Sequence, residues 1–586
     1  MKLQQLLRDW RDNKLTPLTG LDIGLAQLLQ GLQASPDARH LWLAALASHQ
    51  WGRGHACLDL SNWPHDATDL LGWSVQAVQA LPSDLADAAD SLPWTQGEDA
   101  PLVWFEKRLY LRRAWSAETS IRQRLMAMQQ QSWPAPADLE QHLNALFGPE
   151  TDTPDLQRMA CAHAAVHAVT LITGGPGTGK TTTVVKLLRL LQANASQPLR
   201  TLLAAPTGKA AARLAQAMAQ ARSQLSATEA ACLPSQANTL HKLLQAKQGL
   251  EADVLVVDEA SMIDLEMMAR LLKAVPPTTR LVLLGDKDQL ASVEAGAVMA
   301  QLCQAPWLAQ HTVALQHSHR FDAQEGIGEW ARAANAGDAS KLQQLWQAAP
   351  NACLPSNVAV SRLDSANSHP SHILQPLKQA WATWLELLAP LQSQSSDDDQ
   401  ALALLQAFNQ LGVLCALREG PWGVKAFNIQ IQKSLGFPDR DWFVGRPVMA
   451  RRNDYALGLM NGDMGLCLPR TVHGETRLRV AFPDGIGGVR WQVPSRLEGV
   501  DTVFAMTVHQ SQGSEFQQVL LVLPDQPAPL LTRELIYTGI TRARQQLCIW
   551  APQPALLAQA CARQVHRSGG LTGPLNPLST VAKSAS

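Results

Sequence analysis

Lys180 and Thr181 close the pattern Gly174-x-x-x-x-Gly179-Lys180-Thr181, a combination of residue types suited to binding a triphosphate. Glycines let a backbone wrap closely round phosphates and aim several N–H groups inward. A helix starting at such a loop adds partial positive charge at its N-terminus. Gly174, Gly175, Pro176, Gly177, Thr178 and Gly179 would form the cradle, Lys180 would reach the β- and γ-phosphates, and the Thr181 hydroxyl would hold Mg²⁺. Further along, Asp258 and Glu259 end the apolar run Val254-Leu-Val-Val. An Asp there holds Mg²⁺ in P-loop folds, and a Glu beside it is placed to polarise the attacking water. Two solvated acids at a strand end are the plainer reading, which the P-loop upstream disfavours. Gln289 follows Arg280-Leu-Val-Leu-Leu-Gly285 and offers a neutral amide able to sense the γ-phosphate. Gln157, one helix before the P-loop, could read an adenine edge, although alone it would pass for a solvated helix residue.

These groups need elements that bring them to one edge. The β-favouring run Val169–Thr173, the glycine loop and the apolar stretch Val184–Leu188 follow one another as strand, loop and helix, the context that makes a P-loop pattern credible. Thr201–Ala205 then leads into Pro206-Thr-Gly-Lys-Ala-Ala-Ala-Arg213. Thr207 and Lys209 there, and Thr239 and His241 in a second polar turn, could hold nucleic acid phosphates at strand ends. From about residue 350 a second α/β series begins, with strands at Val413–Leu417, Val503–Val508, Val519–Leu523 and Leu547–Trp550, and without a P-loop of its own. Such a lobe can still supply an arginine to the γ-phosphate across a cleft; Arg320 and Arg542 are the candidates. Thr507 and His509 would join the strand-gripping turns.

The fold class expected is α/β, with two parallel-sheet lobes. Residues 1–115 read as a helical domain, with Leu25, Leu28, Leu29 and Leu32 at helical spacing. Its tryptophans (Trp42, Trp51, Trp63, Trp73, Trp94, Trp104) are core or a partner-binding face. A Pro-rich break makes 116–150 a linker. The first lobe is expected over 151–350 and the second over 351–438 and 501–563. The glycine-rich short runs of 439–500, Arg477–Phe482 and Val489–Val493 among them, suggest a small β-barrel insertion. Residues 564–586 are expected to be a disordered tail.

At 586 residues the chain is too long for one core. Its 46% apolar and 17% charged content is that of a globular protein. A net charge of −1 gives no global pull towards nucleic acid, so DNA binding would need local basic grooves. Nine cysteines, scattered singly, offer neither a zinc site nor a disulfide framework, and the expected compartment is the reducing cytoplasm. Charges interrupt the apolar pattern of the first residues, unlike a signal peptide, and no apolar run reaches the ~20 residues of a membrane span.

In order and spacing, Gly174–Thr181, Pro206–Arg213, Asp258-Glu259-Ala-Ser, Gly285-Asp-x-Asp-Gln289, the Arg320 stretch, Thr507–Phe516 and Tyr537–Arg544 resemble the motif series of superfamily 1 helicases. Within that superfamily the chain resembles the RecD family. The residues that carry this are Leu102-Val-Trp-Phe-Glu-Lys-Arg-Leu-Tyr-Leu-Arg-Arg, Arg418-Glu-Gly-Pro-Trp-Gly-Val, Val448-Met-Ala-Arg-Arg-Asn453-Asp454-Tyr455 and Asn461-Gly-Asp-Met-Gly465. The resemblance implies two RecA-like lobes with an SH3-like barrel insertion, and ATP- and Mg²⁺-dependent 5′→3′ translocation on single-stranded DNA. It implies as partners a RecB-like nuclease/helicase subunit and a RecC-like scaffold subunit, on which the N-terminal domain docks to make exodeoxyribonuclease V. It gives Lys180, Asp258, Glu259, Gln289, Arg320 and Arg542 the catalytic roles, and adds Gln157, Gly513 and Glu515 to the nucleotide site. Thr207, Lys209, Thr239, His241, Thr507 and His509 would line the DNA track. No clustered Asp/Glu/Lys set outside the ATPase suggests a nuclease. A stand-alone helicase and a structural subunit switched by ATP are the competing readings. The longer N-terminal extension of stand-alone RecD-type helicases is not seen, and the complete catalytic set disfavours the switch.

Overall fold

The computed structural model describes residues 17–61, 63, 67–68, 73–79, 81–150, 152–231, 233–245, 249–317, 325–354, 358–363, 374–454, 456–485 and 487–573. Arg320 lies outside them, as do residues 1–16 of the expected N-terminal domain and 574–586 of the expected tail.

The N-terminal region is mixed, not purely helical. Helices α1 (Gly20–Leu32) and α2 (Ala38–Gly52) pack beside a small antiparallel sheet of β1 (Cys57–Asp59), β2 (Leu102–Phe105) and β3 (Arg108–Leu111) in the order β1-β3-β2. β2 and β3 form a hairpin whose turn residues, Glu106 and Lys107, both have positive φ. That is the backbone of a type I′ turn, made here without the usual Asn or Gly, so the turn signal is absent from the sequence. Trp42, Trp73 and Trp94 are core, while Trp51, Trp63 and Trp104 are half-buried.

The expected linker is helical: α3 (Arg112–Gln129) crosses the 115/116 boundary and α4 (Leu139–Phe147) follows. The buried stripe of α3, with Ala114, Ala117, Ile121, Leu125 and Met128, packs into the same core as the P-loop lobe. A helix with such a stripe is too apolar on one side to serve as a tether.

After α5 (Leu156–Val166), the first lobe is built on β4 (Val169–Gly174), β5 (Thr201–Ala205), β6 (Asn238–Thr239), β7 (Val254–Val257), β8 (Arg280–Gly285) and β9 (Thr312–Leu315). They form one sheet in the order β6-β5-β7-β8-β4-β9, every pair parallel. Parallel strands covered on both faces need continuous apolar runs, and all four residues of β7 are buried. Helices α6 (Lys180–Ala193) and α7 (Gly208–Ser223) follow β4 and β5. Because β7, β8 and β4 are neighbours and parallel, their C-terminal ends open on one edge, where α/β sheets place their ligands.

Two helices assigned by sequence to the first lobe belong with the second. α8 (Gly326–Ala336) and α9 (Ala339–Ala348) bury Ile327, Trp330, Leu342 and Trp346 in the core of the second lobe. The reason is that an amphipathic period shows a helix has a buried face and not which sheet covers it. That lobe's sheet holds β10 (Val360–Leu363), β11 (Leu411–Cys415), β17 (Ala505–Thr507), β18 (Phe516–Val522) and β19 (Ala543–Trp550), in the order β10-β19-β18-β11-β17, again with every pair parallel. Between β11 and β17 comes the insertion, an antiparallel sheet of β12 (Pro447–Ala450), β13 (Met464–Val472), β14 (Glu475–Pro483), β15 (Val489–Gln492) and β16 (Val500–Thr502), ordered β15-β14-β13-β12-β16. It has a small core of its own, including Val448, Cys467, Val480 and Phe482.

Helices α10 (Arg533–Ile540) and α11 (Ala555–Ala562) complete the second lobe. Beyond α11 the chain does not fray. Residues 563–573 cross back to the first lobe and the N-terminal region. Val565 N–H donates to Glu534 at 3.0 Å, and Arg567 donates to the Glu294 carbonyl at 2.8 Å. Ala56 N–H donates to the Ser568 carbonyl at 2.8 Å. Gly570 N–H is shared by both carboxylate oxygens of the buried Glu118, and Leu571 is fully buried. Through residue 573 the expected tail is therefore a strap; its Gly and Ser content permits close backbone approach and does not signal disorder here. Among the described residues no helix is long and apolar enough to cross a membrane.

Candidate active site

The P-loop joins β4 to α6. Gly177 and Gly179 both take φ of 81°, in the left-handed region that a side chain disfavours. Lys180 is the first residue of α6, and its Nζ donates to the carbonyls of Gly174 (2.6 Å) and Gly175 (3.1 Å). The Thr178 hydroxyl donates to Gly175 O at 2.8 Å, and Gln157 Nε2 donates to Thr178 O at 3.1 Å, which ties α5 to the loop. Thr181 is half-buried on the first turn of α6.

Asp258 follows β7, and its carboxylate accepts from Glu259 N–H at 2.9 Å. Glu259 holds a positive φ of 53°. Burial raises the Asp258 carboxyl to about 6; Glu259 beside it pushes the same way and Lys180 pulls back. From the end of β8, Asp286 is buried and also shifted upward by burial. It accepts from Gln289 Nε2 at 2.9 Å and from the Tyr537 hydroxyl at 3.0 Å. Gln289 is thus held by an acid that α10 of the second lobe also contacts.

The second lobe meets this edge with the N-terminal ends of β18 and β19. Arg542, 2% exposed, precedes β19 and donates to the carbonyls of Thr538 and Ser514, each at 3.1 Å. Burial lowers its pKa, against Glu259 and Glu515. Glu515 precedes β18 and accepts from Arg213 of α7 at 2.5 Å and from Arg544 at 2.9 Å. Two backbone contacts lock the lobes alongside: Leu290 N–H donates to Thr538 Oγ1 at 3.0 Å, and Gln512 Nε2 donates to Leu290 O at 2.7 Å.

The result is a cavity of about 820 Å³ whose walls include Pro176–Thr182, Gln157, Arg213, Asp258, Glu259, Gln289, Glu515, Arg542 and Arg544. Gly174 and Gly175 lie behind it as acceptors for Lys180. Gly513 is buried in the second lobe and faces Ala210 and Thr207 of the first. Sequence reading missed Arg213, Tyr537, Asp286 and Arg544 as members of the site. Arg213 and Tyr537 lay inside motifs already singled out, yet nothing in their spacing signals a contact across a cleft.

The strand-gripping candidates divide. Thr207 caps α7, its hydroxyl accepting from Ala210 N–H at 3.2 Å, and Thr507 engages Gln510; both keep partial exposure. Gly208 lies so close to the insertion that a Cβ would stand 2.3 Å from Met460. Burial beside that insertion lowers Lys209 to about 8, with Asp463 opposing. His241 is exposed and His509 half-buried. Thr239 is corrected: it is 5% exposed and accepts from Lys242 N–H at 3.3 Å, so it caps a short helix and is not open to a strand.

Three family models match: an AAA domain over 157–295, a UvrD-like helicase C-terminal domain over 502–550, and the N-terminal domain of RecBCD enzyme subunit RecD over 14–110. The chain is 37% identical to RecBCD enzyme subunit RecD of Mycolicibacterium smegmatis, over 95% of this chain and 97% of that one. It is 32% identical to the Haemophilus influenzae protein of that name, over 90% and 92%. With the ATP-dependent RecD2 DNA helicase of Deinococcus radiodurans it shares 30% identity, over 65% of this chain and 47% of that one. With relatives this similar along almost its whole length, and a nucleotide-sized cleft between two parallel-sheet lobes, the chain belongs to the RecD family of superfamily 1 helicases.

Proposed function

We propose that this chain is the ATP-driven 5′→3′ DNA motor of an exodeoxyribonuclease V complex, unwinding duplex ends for recombinational repair. The observation that carries it is the cleft in which Lys180, Asp258 and Glu259 of one lobe face Arg542 and Glu515 of the other. ATP in this cleft would meet the P-loop N–H groups and Lys180 at its phosphates, and Gln157 near its base. Glu259 would take the proton of the attacking water, and Arg542 would stabilise charge developing on the γ-phosphate. Because both lobes contribute, occupancy favours closure and hydrolysis favours opening. A strand held by the turns of Thr207 and Thr507 would then be drawn along.

Mg²⁺ fits the acid pair. A buried carboxyl raised to about 6 next to a second acid, offset only in part by Lys180 and Arg213, is a site that a cation relieves. Asp258 and the Thr181 hydroxyl would hold the ion, which would supply charge neutralisation of the phosphates. The 5′→3′ polarity, the RecB-like nuclease/helicase partner and the RecC-like scaffold partner follow from the family. One feature of the N-terminal region supports docking: Leu21, Leu28 and Leu32 are 78%, 60% and 71% exposed along one face of α1, while Ile23 on its other side is buried. Such a stripe suits a partner surface. A cytoplasmic location is consistent with these partners.

The test is unwinding by the purified chain and by Lys180→Gln, on 5′-tailed against 3′-tailed duplexes. The 5′-tailed substrate should be unwound, and only by the unsubstituted chain. A preference for 3′ tails would overturn the polarity. Copurification with two larger chains separates the complex-bound subunit from a stand-alone helicase.

A further inference from the structure

Three histidines meet away from the nucleotide cleft. His163 lies on the last turn of α5, His167 caps that helix one turn later, and His311 ends the short 3-10 turn before β9. The rings of His163 and His167 stack with centroids 4.1 Å apart, and His311 stands edge-on to both at 5.1 Å. Each ring offers one nitrogen to a group in which all three atoms lie within 4.8 Å of one another. Each also has a buried nitrogen without a hydrogen-bond partner of acceptable geometry: Nε2 of His163, Nδ1 of His167 and Nδ1 of His311. Leaving even one such atom unpaired is costly. Three imidazoles brought this close suit a common partner that accepts lone pairs.

We propose that His163, His167 and His311 bind one zinc-class divalent ion at the end of the P-loop sheet opposite the nucleotide. The placement follows from topology: His167 and His311 precede β4 and β9, parallel neighbours, whereas the P-loop follows β4. Imidazole suits Zn²⁺, Ni²⁺ or Cu²⁺ and not Mg²⁺, so the ion that accompanies ATP would not compete. In a tetrahedral zinc site ligand nitrogens stand about 3.4 Å apart; small ring rotations close the observed spacing. The His163 Nδ1 lies 2.9 Å from Thr170 Oγ1, the kind of outer hydrogen bond that fixes a ligand ring. Three ligands leave a fourth position for water. The bound ion would pin α5, which carries Gln157 to the P-loop, against the start of β9.

The test uses the full-length chain, stripped with chelator and titrated with Zn²⁺ in excess Mg²⁺ against a chromophoric competitor. One Zn²⁺ per chain is expected, bound at least tenfold more weakly by His311→Gln and by His163→Gln. Zn²⁺ should also raise the Tm of the unsubstituted chain and not that of the variants. Thr170→Val keeps every ligand and serves if the histidine variants fail to fold; it should weaken Zn²⁺ while leaving the fold intact. Co²⁺ in the site should show d–d bands without a thiolate charge-transfer band. Equal Zn²⁺ binding by the unsubstituted chain and the variants, or a thiolate band assigning the ion to cysteines, would overturn the proposal.

Discussion

Arg213 of the P-loop lobe and Glu515 of the second lobe are joined across the nucleotide cleft by an ion pair of 2.5 Å. Glu515 is 7% exposed and also holds Arg544 at 2.9 Å, so one acid balances two guanidinium groups, with the buried Arg542 nearby.

The two ends of this pair are unequal. Removing Glu515 leaves the buried Arg542 and the partly exposed Arg213 and Arg544 without their shared acid, whereas removing Arg213 leaves Glu515 still paired with Arg544. Loss of one partner of a fully buried pair costs about 3–5 kcal/mol; solvent at Arg213 and Arg544 screens part of that here. Glu515→Ala should therefore destabilise the closed arrangement far more than Arg213→Ala. DNA-stimulated ATPase should fall at least tenfold in the first and only modestly in the second. Steady-state assays of both variants check the asymmetry.

Arg542→Ala should retain nucleotide binding and lose turnover. An arginine offered to the transferring phosphate is worth ~10³–10⁵ in rate in P-loop enzymes. ATP affinity measured by equilibrium binding should change little while kcat collapses. An unchanged kcat would remove Arg542 from the reaction.

Asp258 links the acid pair to pH. Its folded carboxyl is raised from 3.8 to about 6, chiefly by burial. A raised pKa contributes stability that is fully present below 3.8 and is lost as pH rises through about 6. At pH 8 the nucleotide-free fold therefore carries a buried charge that Asp258→Asn removes. The variant should melt at a higher temperature than the unsubstituted chain at pH 8, with the difference vanishing below pH 4, and it should hydrolyse no ATP. Thermal melts across that range decide it.

Leu571 anchors the C-terminal strap in the core shared by α3 and the P-loop lobe. Leu571→Ala should cost roughly 2–5 kcal/mol, as a fully buried leucine does. Cutting the chain before residue 564 should cost at least as much and open the contact of Glu118 with Gly570. Denaturant unfolding measures both, and a truncated chain of full stability would show the strap to be idle.

What the amino-acid sequence determined by itself is what depends on neighbours along the chain. The P-loop, the acid pair after β7, the alternation of strands and helices and the short strands of the insertion rest on local spacing, because glycine φ, strand period and helix caps are set within a few residues. The rest was decided by tertiary structure. Arg213 meets Glu515, and Tyr537 meets Asp286, only because two parallel sheets turn opposite edges towards each other. Helices α8 and α9 changed lobe because periodicity names a buried face and not its cover. Thr239 is withdrawn from the surface because the fold buries it, at 5% exposure. The strap and the three histidines join residues far apart in the chain. Contacts of that kind are fixed by the burial of apolar surface in three dimensions, a quantity that no local pattern carries.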